Sequence, residues 1–262
     1  MTASPDPSPL VFLPALGFTG HSFSGVAARM RHPGERLFLD LPQLDGVSLR
    51  SADTIVAAVA RELAALDGQW PILVGHSIGG AIAVRLIARH RCRVAALVLV
   101  DAAVAPFPMS WWERIAIHPA VWVPLLRLCG ATRLVRASLP HVLREPPITD
   151  VHDLDELADR LANRAERLTM SAYYRAFLTP RELAASERDL AEVRMPVLVL
   201  RGRRDHVLPN SVMARVVEAL PAETRVEVHG FAVGGHLLPI ELPAEVARAI
   251  DDFLGNPWRC SA

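Results

Sequence analysis

The stretch Val74-Gly75-His76-Ser77-Ile78-Gly79-Gly80 constrains this chain more than any other. The apolar run Pro71-Ile72-Leu73-Val74 before it reads as a buried strand, and Ala81-Ile82-Ala83-Val84-Arg85-Leu86-Ile87-Ala88 after it reads as a helix. The spacing Gly75-x-Ser77-x-Gly79 has a mechanical reason. A serine held in a strained conformation on so tight a turn brings neighbouring segments against its flanks, where only residues without a Cβ fit. The turn lifts the serine Oγ clear of the sheet and places the free N–H groups of the helix's first turn beneath it. That arrangement suits a nucleophile whose reaction generates an oxyanion.

Around this turn the chain alternates strands and helices. Leu10–Leu13 and Arg36–Asp40 read as strands, joined by a loop that contains Leu16-Gly17-Phe18-Thr19-Gly20-His21. Ser51 to Leu66 has helical periodicity, with Ser51 as N-cap and Gly68 as the stop. Val94–Val100 is a further buried strand ending at Asp101, and Met195–Gly202 and Thr224–His229 continue the series. A helix over 210–220 separates the last two, and Pro243 opens a final helix running to Leu254. Strands apolar on both faces with helices between them predict an α/β fold, a mostly parallel sheet flanked by helices. Ligands then bind at the carboxyl ends of the strands.

From 103 to 192 the pattern changes to helical pieces broken by prolines, among them Pro106, Pro119, Pro140 and Pro147. This predicts an inserted helical cap over 103–192, a body of 10–102 and 193–262, and a disordered lead-in at 1–9. The insertion carries Phe107, Trp111, Trp112, Trp122, Tyr173, Tyr174 and Phe177. Single aromatics are mostly packing residues, but as a group these predict the roof of an apolar pocket. Trp111, Trp112, Tyr173 and Tyr174, with His21 from the first loop, are the expected substrate contacts.

Composition narrows the chemistry. All 28 Lys-plus-Arg positions are arginine, which excludes a Schiff-base lysine. Formal net charge is zero and no dense basic block occurs, so a small-molecule substrate is expected and a nucleic-acid partner is not. Cys92, Cys129 and Cys260 are scattered, without metal-ligand spacing, and read as reduced thiols. The N-terminal residues lack the pattern of a secretory signal, and Asp101 and Pro106 interrupt apolar runs too short to span a membrane. A cytoplasmic protein, monomeric or homodimeric, is expected, with no metal and no cofactor.

Two further motifs stand at strand ends: Gly202-x-x-Asp205-x-x-x-Pro209, and Gly235-His236 followed by Glu241-x-Pro243. With the Ser77 turn, and in the order Ser, Asp, His, they give the chain a resemblance to the α/β-hydrolase superfamily from Leu10 to Leu254. The resemblance implies that Ser77 is a nucleophile, His236 its general base and Asp205 the carboxylate that orients the imidazole. Asp101 is the rival acid, because it too ends a strand. The backbone N–H groups of Ile78 and Phe18 would form an oxyanion hole. Leu16 stands where many members of the family have histidine, so that loop lacks a polar anchor. His76 and His206, beside these motifs, read as packed or hydrogen-bonded neighbours. The reading this supports is cleavage of a small or medium apolar ester or thioester. Alternatives are a lyase or synthase using the same triad and a catalytically silent binding protein, since one scaffold hosts many activities.

Overall fold

The computed structural model describes residues 7–41, 51–66, 68–108 and 152–255, with residues 121, 124, 128–130 and 133 between them. Trp111, Trp112, Trp122 and Cys260 lie outside the described residues, as does much of the expected cap.

Six strands form one parallel sheet: β1 (Leu10–Leu13), β2 (Arg36–Phe38), β3 (Ile72–His76), β4 (Ala96–Val100), β5 (Val197–Gly202) and β6 (Val226–Phe231). Their order is β2-β1-β3-β4-β5-β6. Registers such as Phe12 opposite Val74, and Val74 opposite Val98, align the central strands so that their carboxyl ends share one edge. The chain steps outward from β1 to β2 and then returns to β3, so the reversal lies between β1 and β3. A crevice opens outside the strand ends at such a point.

Alternate residues of each strand face opposite sides, which builds two cores. Val11, Leu13, Leu73, Leu97 and Leu99 pack with α2 (Ala52–Leu63) and α3 (Ile78–His90) on one side. Leu10, Phe12, Val74 and Val98 pack on the other with Val26 and Ala27 of α1 (Ser24–Ala27) and with Val246, Ile250 and Phe253 of the helix Pro243–Gly255. Strands β1, β3, β4 and β5 are buried throughout, as their apolar runs predict. β6 departs from that expectation: Val228, His229 and Gly230 are exposed. Among the described strands it is an edge strand, and its alternation of Val226, Glu227, Val228 and His229 suits a position with one neighbour.

Ser51 caps α2 by accepting a hydrogen bond from the Thr54 amide at 3.3 Å, as predicted. Between β4 and β5 the described chain from 152 to 192 is helical almost throughout, in α4 (His152–Ala162), α5 (Arg164–Phe177) and α6 (Pro180–Asp189). Arg85 of α3 fastens α6 to the body. It is fully buried, donates to the Glu182 carboxylate at 2.8 Å and to Ser186 Oγ at 3.3 Å, and lies 5.0 Å from the centre of the Phe177 ring. After β5 come α7 (Ser211–Ala219), α8 (Leu238–Glu241) and α9 (Pro243–Gly255). Among the described residues no helix is long and apolar enough to cross a membrane, and no cluster of His, Cys, Asp and Glu could hold a metal ion.

Candidate active site

Ser77 is the residue between β3 and α3, with φ 52° and ψ −115°. A non-glycine residue at positive φ is strained and persists only where its surroundings over-determine it. Here they do: the Ser77 amide donates to the Val100 carbonyl at 3.0 Å, and its own carbonyl accepts from Ala103 at 3.0 Å and Gly80 at 3.1 Å. The flanking glycines are steric necessities. A Cβ at Gly79 would lie 2.2 Å from the Leu13 carbonyl oxygen, and one at Gly75 would lie 2.6 Å from Gly80 Cα. The turn therefore presses against β1 on one side and its own helix on the other.

His236 arrives from the loop after β6 and Asp205 from the loop after β5. His236 Nε2 is 3.1 Å from Ser77 Oγ, and His236 Nδ1 is 2.8 Å from Asp205 Oδ2. A carboxylate only accepts, so Nδ1 carries the hydrogen and Nε2 presents its lone pair to the serine hydroxyl. Ser77 and His236 are both buried. The His236 loop is clamped from both sides by Glu241, whose carboxylate accepts from the Gly235 amide at 2.9 Å and the Leu237 amide at 2.8 Å.

Asp205 is held as firmly. Its Oδ1 accepts from the Val207 and Leu208 amides at 2.7 and 2.9 Å, while Arg201 donates to its Oδ2. Burial works to raise this carboxyl, but the charge that the His236 ring carries when protonated, its hydrogen bond, Arg201 and the Leu208 amide hold it well below the usual carboxylate range. Asp101, the rival acid, is bonded elsewhere. Its Oδ1 accepts from Arg201 at 2.8 Å and from the Gly202 amide at 3.1 Å, while its Oδ2 has no hydrogen-bond partner among the described residues. Burial, and then the neighbouring charge of Asp205, push Asp101 well above the usual range despite Arg201.

Of the two expected oxyanion donors, the Ile78 amide begins α3 and has no acceptor within its helix. The Phe18 amide donates to the Ala15 carbonyl at 3.1 Å, closing the turn after β1. It serves an oxyanion only by sharing its hydrogen or by turning away from Ala15. His76 is fully buried, with Nε2 2.7 Å from the His236 carbonyl oxygen. Its pKa falls to about 3, through burial first and the adjacent His236 second, so the ring is neutral and donates that hydrogen bond. His21 is exposed and stacks on Phe38 at 5.2 Å, and His206 is exposed. Tyr173 sits in the main core, stacked on Phe177, with its hydroxyl pKa raised by burial; Tyr174 is half-buried. Arg201 is a site residue that the motifs do not single out. Its one signal in the sequence is a cation at the end of an otherwise apolar strand, Val197-Leu198-Val199-Leu200-Arg201.

Residues 10–249 match the model of the alpha/beta hydrolase family. The chain belongs to that family. It is 51% identical over 211 residues to the lipase LipV of Mycobacterium tuberculosis, an alignment covering 77% of this chain and 76% of that protein. With the 2-hydroxymuconate semialdehyde hydrolase of Pseudomonas putida it shares 27% identity over 204 residues, 74% of this chain and 66% of that hydrolase. The chain thus spans a little under two thirds of that relative's length. In fold it is similar to an esterase of Exiguobacterium antarcticum, with a TM-score of 0.77, 15% identity, and coverage of 96% of this chain and 93% of that one.

Proposed function

We propose that this member of the family is a serine hydrolase that cleaves a small or medium apolar ester or thioester through an acyl-enzyme on Ser77. One observation carries the reading: His236 Nε2 lies 3.1 Å from a buried serine hydroxyl on a strained turn, with Asp205 behind the imidazole. A serine hydroxyl is a poor nucleophile until a base takes its proton, and a neutral imidazole oriented by a carboxylate is such a base. Ser77 Oγ attacks the acyl carbon while its proton passes to His236 Nε2. The carbonyl oxygen, now negative, takes hydrogen bonds from the Ile78 and Phe18 amides. His236 returns the proton to the departing alcohol or thiol oxygen or sulfur, leaving the acyl group on Ser77. Water, deprotonated by His236, then attacks the acyl carbon, and as the bond to Ser77 Oγ breaks, His236 returns that proton to Oγ and the acid is released. In this reading residues 103–192 form a cap that sets the size of the acyl group, and the enzyme works in the cytoplasm on a free small molecule.

A lyase or synthase using the same triad is the second reading. Leu16, half-buried in place of the usual histidine, leaves the first loop apolar, and a dry site suits elimination as well as hydrolysis. Turnover in oxygen-18 water separates the two. Hydrolysis places one heavy oxygen in the released acid, and rapid quench with mass spectrometry finds an acyl group on Ser77. Unlabelled acid, an unsaturated product and an unmodified Ser77 would establish elimination instead.

A further inference from the structure

The loop after β1 is gripped from above by the helices inserted between β4 and β5. Arg160 of α4 donates through Nη1 to the Gly17 carbonyl at 3.3 Å. Its other nitrogens are fixed on α5: Nη2 lies 2.9 Å and Nε 3.3 Å from Glu166 Oε2. The same loop residue is pressed by two apolar side chains of these helices. A Cβ at Gly17 would come within 2.7 Å of Leu157 Cδ1 and 3.3 Å of Met170 Cε. Leu157 also packs against the cluster of Ala15, Phe18 and Leu237, the last of which follows His236. One helix therefore rests on both the oxyanion loop and the histidine loop.

The Gly17 carbonyl and the Phe18 amide are two ends of one peptide plane, which does not bend. Whatever holds the oxygen sets the direction of the N–H. A guanidinium on the oxygen also polarises the peptide and strengthens the opposite end as a donor. We infer that Arg160 is a positioning residue for the oxyanion hole, so that seating α4 on the body orients and strengthens the Phe18 donor. The inference rests on the hydrolase reading, in which that amide receives the developing negative charge. With its oxygen held, the peptide does not turn away from Ala15, so the Phe18 N–H meets the oxyanion by sharing its hydrogen with the Ala15 carbonyl 3.1 Å away. In a loop without its usual histidine, the anchor comes from the insertion and acts on the other end of the peptide.

The test is steady-state kinetics on 4-nitrophenyl acetate, whose acetyl group is too short to depend on an acyl pocket, in wild type, Ser77→Ala, Arg160→Met and Arg160→Lys. Removing an oxyanion donor outright costs about a hundredfold to a thousandfold in kcat, so misaiming one predicts about tenfold to a hundredfold in Arg160→Met. KM should stay within about threefold, because the interaction strengthens only as charge develops. Arg160→Lys should recover part of the loss. With 15N-phenylalanine labelling, the Phe18 amide resonance should move in Arg160→Met while phenylalanines remote from the loop hold their positions and the melting temperature stays near wild type. An unchanged or raised kcat, or a loss confined to KM, overturns the role of Arg160 while leaving hydrolysis intact. If wild type shows no turnover that depends on Ser77, the hydrolase reading itself fails and takes this inference with it.

Discussion

Asp101 and Asp205 share one guanidinium nitrogen. Arg201 Nη1 donates to Asp101 Oδ1 at 2.8 Å and also to Asp205 Oδ2, while Arg201 Nη2 donates to the Leu208 carbonyl of the Asp205 loop. The two strand-end acids that compete in the sequence thus belong to one buried network, and only Asp205 also touches His236.

This network predicts unequal effects. Asp205→Asn places an amide opposite His236 Nδ1 and favours the wrong tautomer, so kcat should fall by about four orders of magnitude, as for the equivalent change in a chymotrypsin-type triad. Asp101→Asn retains an acceptor for Arg201 and the Gly202 amide, and its cost in kcat should be under about tenfold. Burst and steady-state rates on one chromogenic ester decide the ranking. The reverse order would make Asp101 the acid that acts on the histidine.

The second prediction concerns the elbow. A methyl group at Gly79 meets the Leu13 carbonyl 2.2 Å away, and that oxygen belongs to the end of β1 rather than to a yielding side chain. Gly79→Ala should therefore push the turn and β1 apart, abolish labelling of Ser77 by a fluorophosphonate and lower stability by about 1–3 kcal/mol. Labelling at wild-type rate would show that the turn has slack the geometry denies.

What the sequence discloses, and what it withholds, follows from the range of the interactions. Strand and turn signals are local, so Leu10–Leu13, the buried run after Val94 and the Ser77 turn are all legible in the order of the residues. The partners of the arginines that tie the helices between β4 and β5 to the body are not. Arg85 meets Glu182 across 97 positions and Arg160 meets Gly17 across 143, and no local pattern records either pairing. Arg85 lies within an apolar helical run, and no residue next to it in the sequence supplies its counter-charge; the fold buries it completely. The Phe18 amide shows the same limit at a finer scale. Its position beside the site is predictable from the motif, whereas its bond to Ala15 depends on how the loop closes.

Arg85 gives a prediction about stability. Truncation to alanine would leave Glu182 without its strongest partner and a cavity beside Phe177, at the junction of α3, α5 and α6. Removing one member of a buried ion pair costs about 3–5 kcal/mol, and partial exposure of Glu182 and Asp189 puts this site at the low end, about 3 kcal/mol. Arg85→Met fills the volume and should cost less. Urea unfolding measures the difference, and limited proteolysis should cut first in the helices between β4 and β5. If the alanine and methionine variants were both as stable as wild type, the contact would be incidental.

The last prediction is the pH dependence contributed by His76. Its pKa is about 3 in the folded protein against 6.5 in an unfolded chain, because burial and His236 oppose the charged ring. Between those values the unfolded state binds the additional proton. The His76 contribution is therefore fully present above pH 6.5 and declines as pH falls toward 3, at about 1.4 kcal/mol per pH unit within that window. Asp101 acts in the opposite sense, since its raised pKa makes the folded state the better proton binder as pH falls. A measurement on wild type alone would mix the two, so the comparison must be between wild type and His76→Gln, where glutamine keeps an N–H donor for the His236 carbonyl. Urea unfolding at about pH 7.5 and pH 5 should show wild type losing about 2 kcal/mol more than the variant on acidification. Equal losses would mean that His76 accepts its proton within the fold, which the burial of its ring and the short bond from Nε2 to the His236 carbonyl both oppose.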